Sequence, residues 1–122
     1  MDRPILIVED NVDSQDMIGR ILRYYHMPFE IVPCAEDALQ ILERQGFSAV
    51  VIDLALPHMD GWALLESIHK VPNTADLPCI AVTAYDSAEV VVKARDAGFR
   101  TYFPKPLEAT TFVSELQRIT AT

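Results

Sequence analysis

The sequence predicts an α/β fold in which five parallel strands form one sheet with helices on both of its faces. Three observations predict it. Apolar runs and amphipathic stretches alternate five times along the 122 residues. The central runs are continuously apolar, as in strands covered on both faces. Acids, a threonine and a lysine stand where these runs end, the edge at which such sheets carry their chemistry. Strand–helix alternation with right-handed crossovers gives a doubly wound (βα)5 sandwich. A chain of this length fits one domain, expected over residues 1–122.

The elements follow in order. "ILIV" (Ile5–Val8) is the first strand. From about Asp13 to Tyr25, the apolar residues Met17, Ile18, Ile21, Leu22 and Tyr25 recur at helical spacing and should face the core. "FEIVPC" alternates and carries Pro33, which suits a sheet edge. "AEDALQILERQG" reads as a helix stopped by Gly46. "AVVID" (Ala49–Asp53) is a buried strand that ends on an acid. Asp60 caps a third helix ending near Val71 and Pro72. "CIAVT" (Cys79–Thr83) is the fourth strand, and a helix from about Asp86 to Ala97 stops at Gly98. "RTYFPKP" holds a short last strand. The final helix, from about Glu108 to Ile119, turns Phe112, Val113, Leu116 and Ile119 inward.

Composition narrows the function. Half of the residues are hydrophobic, enough for a real core. The formal net charge of −8 disfavours nucleic acid and anionic membranes, which need a basic face. No apolar run approaches the roughly 20 residues that span a bilayer, and the N-terminus has no secretory layout. A cytoplasmic location is therefore expected. Cys34 and Cys79 form no metal motif and are expected to be buried, inert thiols. His26, His58 and His69 are expected at the surface.

With strand order 2-1-3-4-5, Glu9 and Asp10 after the first strand, Asp53 after the third, Thr83 after the fourth and Lys105 after the fifth crowd one edge. Three carboxylates in one pocket repel one another unless a cation joins them. An oxygen-only ligand set suits a hard ion such as Mg²⁺. Lys105 offers a charge for an incoming phosphoryl group, and Thr83 offers a hydroxyl. An aspartate in that company can act as a nucleophile toward phosphorus.

"ILIVEDN", "VVIDLALPHMDG", "AVTA" and "YFPKP" together resemble the receiver domain of response regulators, in order and over essentially the whole chain. The resemblance implies a flavodoxin-like fold and a switch in a two-component system or phosphorelay. It implies that Asp53 accepts a phosphoryl group from a phosphohistidine on a histidine kinase or histidine phosphotransfer protein. Asp10, Asp53 and the backbone carbonyl of Ala55 would bind Mg²⁺, with Glu9 helping mostly through water and with Mn²⁺ as a substitute. Lys105 would pair with the phosphoryl group, and its bond to Pro106 would be cis. Pro57 and Gly61 would shape the loop beside the site. Thr83 and Tyr102 would switch the face of the fourth helix, fifth strand and fifth helix, which would bind a protein target or a second copy. The chain would be no enzyme beyond its own phosphorylation and dephosphorylation.

Two expectations are specific to this chain. By the resemblance, Ala55 and Tyr85 occupy positions that in the family flank the path of attacking water, and the bulk of Tyr85 predicts slow self-dephosphorylation. Val90, Val91 and Val92 sweep about 200° around a helix, so at least one faces solvent, and Val91 is expected to contribute to a partner contact. Rival readings lack their residues: a haloacid-dehalogenase-type phosphatase needs a second acid where Ala55 stands, the acidic "EDN" would repel the phosphate of a flavodoxin, and no GxGxxG is present. The alternative that survives is a receiver-like interaction module whose binding is independent of phosphorylation. A stand-alone regulator and a receiver within a longer regulator or hybrid kinase are both compatible with these residues.

Overall fold

The computed structural model describes residues 3–56, 59–84 and 87–121. Pro57, His58, Tyr85 and Asp86 lie outside the described residues, and with them the expectations for Pro57, His58 and Tyr85. The strands are β1 (Ile5–Val8), β2 (Phe29–Val32), β3 (Ala49–Asp53), β4 (Cys79–Thr83) and β5 (Thr101–Pro104). They pair in parallel in the order β2-β1-β3-β4-β5, which is the flavodoxin-like order expected. The helices are α1 (Val12–Tyr24), α2 (Ala35–Arg44), α3 (Gly61–Lys70), α4 (Ala88–Ala97) and α5 (Ala109–Thr120).

Alternation along each strand divides the core in two. Leu6, Val8, Val50, Ile52 and Ala81 point to one face, where α2, α3 and α4 cover them with Ala38, Leu64, Leu65, Ile68 and Ala94. Ile5, Ile7, Val51, Ile80, Val82 and Phe103 point to the other, against Ile18 and Leu22 of α1 and Phe112 and Leu116 of α5. Phe103 meets Phe112 edge to face, 5.3 Å between centroids. β1, β3 and β4 are buried throughout, whereas β2 at the edge is partly exposed and Pro33 follows it. Among the described residues no helix is long and apolar enough to cross a membrane.

Side chains start the helices. Asn11 accepts from the Ser14 N–H, Asp60 from the Ala63 N–H, Ser87 from the Val90 N–H, and Glu108 from the Thr110 and Thr111 N–H groups. α1 therefore begins one residue before Asp13, and α4 begins at Ala88. Gly98 ends α4 in the left-handed region, φ 116°, as a helix-stopping glycine does.

Several expectations are corrected. Tyr25 caps α1 outside the core and is 38% exposed, because the chain turns at His26, whose φ is +59°. Gly46 does not end α2 by a left-handed turn. The helix ends with extended backbone at Gln45, and the Gly46 backbone instead leaves room for Arg3, whose Nη1 would lie 2.8 Å from an added Cβ. Cys34 caps α2 and is half-buried, so only Cys79 is a fully buried thiol. His69 is half-buried with its ring beside Gly98. Of the three valines of α4, Val92 is the exposed one, and Val90 and Val91 are half-buried.

Burial pushes the Cys79 thiol up from 9.0 to about 12. Below pH 9 the thiol holds its proton in the folded and unfolded chains alike. Between pH 9 and about 12 only the unfolded chain loses it. Stability should then fall with rising pH, by up to about 1.4 kcal/mol per unit from this group. Chemical denaturation from pH 8 to 11 should show a shallower decline in Cys79→Ala than in wild type; parallel declines would refute the assignment.

Candidate acidic site at the carboxyl edge of the sheet

The carboxyl ends of β1 and β3 lie side by side, with Val8 paired to Ile52. Glu9 and Asp10 continue β1, and Asp53 is the last residue of β3, so the register alone brings three acids together. One carboxylate oxygen from each of Glu9, Asp10 and Asp53 lies within 4.8 Å of the others. Glu9 is 2% exposed and Asp53 6%, whereas Asp10 is open to solvent.

Lys105 enters from the loop after β5. Its backbone N–H donates to the Thr83 carbonyl at 2.8 Å, and the Lys105–Pro106 bond is cis, as expected. Its Nζ lies 2.7 Å from Glu9 Oε1 and 3.1 Å from Asp53 Oδ2. The ammonium therefore bridges the two buried acids. The other Asp53 oxygen, Oδ1, accepts the Ala55 N–H at 2.9 Å. Thr83 is buried at the end of β4, with its neighbour Val82 paired to Asp53 and Thr83 itself paired to Pro104. Tyr102 is half-buried on β5 opposite Ala81.

Burial holds the Glu9 carboxyl above its ordinary range, and the Asp53 charge adds to the rise. Lys105 and the Asn11 N–H oppose it without overcoming it. Burial pulls Lys105 down, but its contacts with Glu9 and Asp53 outweigh that and leave it raised. Lys105 thus stays charged, and Glu9 takes up a proton early as pH falls.

Gly61 opens α3 directly behind this site. A Cβ there would lie 2.7 Å from the Asp53 carbonyl oxygen and 2.8 Å from Leu54 Cα. Both are backbone atoms, so they cannot rotate aside. The structure thus gives a steric reason for the glycine expected beside the site. Two residues that the sequence reading passed over also reach the site. Ser14 Oγ lies 3.4 Å from Lys105 Nζ, and Gln15 Nε2 donates to the Glu9 carbonyl at 2.6 Å. The signal for them was Asn11: a cap there puts residues 14 and 15 in the first turn, at the same edge as the acids.

The donor set fits a hard divalent cation. It is all oxygen, anionic and open to solvent on the Asp10 side. Fold and site together define a doubly wound sandwich with an acid–lysine cluster at its switch point. A family model for the response regulator receiver domain matches residues 5–117, and the chain belongs to that family, whose members act in two-component signalling. An uncharacterised 14.6 kDa protein of Leptolyngbya boryana is 33% identical, over 93% of this chain and 87% of its own length. Signal transduction histidine-protein kinase BarA of Escherichia coli K12 is 31% identical over 85% of this chain, which spans 11% of that kinase. The receiver domain of sensor histidine kinase PA1611 from Pseudomonas aeruginosa PAO1, solved with a magnesium ion coordinated in its active-site cleft, superposes with a TM-score of 0.90. It is 30% identical, with full coverage of both chains.

Gly61→Ala should cost about 1–3 kcal/mol, because overpacking against backbone forces a main-chain shift. Urea denaturation checks the loss. A wild-type midpoint would mean that the Asp53 turn yields freely.

Proposed function

We propose that the chain is a phosphorylation-dependent switch in which Asp53 accepts a phosphoryl group from a phosphohistidine. One observation carries the reading: the Lys105 ammonium touches Asp53 Oδ2 within a cluster of three carboxylates at the sheet's carboxyl edge. An Asp53 oxygen attacks phosphorus, a P–O bond forms, and the P–N bond to the donor imidazole breaks. The imidazole leaves with the bonding electron pair and takes a proton from water. Lys105 moves its hydrogen bond from the carboxylate to a phosphoryl oxygen and so neutralises charge that Asp53 gains. Glu9, Asp10, Asp53 and the Ala55 carbonyl would hold Mg²⁺, or Mn²⁺ in its place, which when bound would supply positive charge for the carboxylates and phosphoryl oxygens. The donor is a histidine kinase or a histidine phosphotransfer protein; BarA, by its name a kinase, contains a segment similar to this chain.

Aspartyl phosphate brings negative charge and new acceptor oxygens next to Thr83. The Thr83 hydroxyl turns toward them, and Tyr102 follows into the space released. Tyr102 and Val91 line a cavity of about 280 Å³ with Ala94, Arg95, Phe99 and Arg100 between α4 and β5. The α4–β5–α5 face thus changes shape with phosphorylation and controls a protein target or a second copy, with no direct contact to nucleic acid or membrane. Partners that favour the changed face also favour the phosphorylated state, because the coupling is reciprocal.

Intact mass after incubation with acetyl phosphate should show one added phosphoryl group with Mg²⁺ present, and none without metal or in Asp53→Asn. Thr83→Ala should gain the group while the amide signals of Val91 and Tyr102 stay at their unmodified positions. A folded wild type that gains nothing would replace this reading with a phosphate-independent interaction module.

A further inference from the structure

The first turn of α1 reaches the site at two points. Gln15 Nε2 donates to the Glu9 main-chain carbonyl at 2.6 Å, and Ser14 Oγ lies 3.4 Å from Lys105 Nζ. Two consecutive residues of one helix thus contact the acidic loop after β1 and the lysine loop after β5. The contact to Glu9 has a particular place in the loop. Glu9 N–H donates to Val32 of β2, and Glu9 Oε2 accepts the Asn11 N–H at 3.1 Å. The Glu9 carbonyl belongs to the peptide that joins Glu9 to Asp10. Fixing that peptide fixes the point from which the exposed Asp10 carboxylate departs, and no hydrogen bond holds the Asp10 side chain itself among the described residues.

We infer that Gln15 is a positioning residue for the cation site: its amide clamps the Glu9–Asp10 peptide and so sets where the Asp10 carboxylate meets the ion. Gln15 touches neither cation nor phosphoryl group. It acts through the loop, as outer contacts around metal ligands do by orienting them. The inference rests on the reading of Glu9, Asp10 and Asp53 as cation ligands. It adds that α1 and the ion share one free energy, so a partner that shifts the first turn of α1 changes cation affinity.

Gln15→Met tests this. It keeps side-chain length and helix propensity and removes the side-chain amide, and with it the donor to the Glu9 carbonyl. Calorimetric titration of the full chain with MgCl₂ should show affinity about tenfold weaker than wild type, within the range for outer-contact losses. The melting temperature of the metal-free variant should stay close to wild type, and the Asn11 amide should exchange faster with solvent. A lower melting temperature with unchanged Mg²⁺ affinity would assign Gln15 a structural role only and overturn the inference. Should the variant fail to fold, the wild-type protein still decides. The Gln15 side-chain amide signal must move as Mg²⁺ saturates the site, and a signal that stays fixed would overturn the inference. Wild type that binds no Mg²⁺ removes this inference together with the reading beneath it. Wild type and variant that bind equally well remove the inference alone.

Discussion

One ammonium group between two buried carboxylates is the interaction on which the site depends. Lys105 lies 2.7 Å from Glu9 and 3.1 Å from Asp53, and one oxygen from each of Glu9, Asp10 and Asp53 lies within 4.8 Å of the others. Unit charges about 4 Å apart interact by about 4 kcal/mol at an effective dielectric near 20. The two attractions to Lys105 therefore offset the repulsion between Glu9 and Asp53, and the strand ends can stay together. Three carboxylates against one ammonium still leave two negative charges when all are ionised, which is the charge a divalent cation neutralises. The raised Glu9 carboxyl shows the strain of that balance: burial outweighs the help of Lys105.

The remainder of the fold serves to hold those groups at fixed distances. β1 and β3 are buried on both faces, so their ends cannot slide without moving apolar side chains into the wrong layer. The Lys105 N–H is tied to the Thr83 carbonyl, so the lysine loop follows β4 as well as β5. Gly61 lets α3 start against the Asp53 backbone. The first turn of α1 ties the acidic loop and Lys105 to a third element. A charge added at Asp53 is therefore felt by four strands and two helices at once.

Much of this was legible in the residues because two strong signals agree. Continuous apolar runs mark the central strands, and the polar residues at their ends lie where a doubly wound sheet exposes them. Asp60 and Gly98 were readable because caps act locally. Tyr25 misled because its spacing continues the α1 stripe, yet the chain turns at His26 and carries the ring outward. Gly46 misled because a glycine after a helix suggests a left-handed stop, whereas its role here is space for Arg3, distant in sequence. Ser14 and Gln15 carry no pattern of their own. The Asn11 cap places them in the first turn of α1, but their contacts to Lys105 and Glu9 exist only once β1, α1 and β5 are assembled.

The most direct test of the account is the stability of Lys105→Met with and without Mg²⁺. Removing the ammonium leaves Glu9 and Asp53 without their shared counter-charge, and early protonation of Glu9 limits the cost. The metal-free variant should lose about 1–3 kcal/mol, below the full penalty for breaking a buried pair. Saturating Mg²⁺ should restore most of that loss, with a larger Mg²⁺-induced shift in melting temperature than wild type shows. A metal-free variant as stable as wild type, with an equal or smaller Mg²⁺ shift, would contradict the claim that Lys105 holds the acids together.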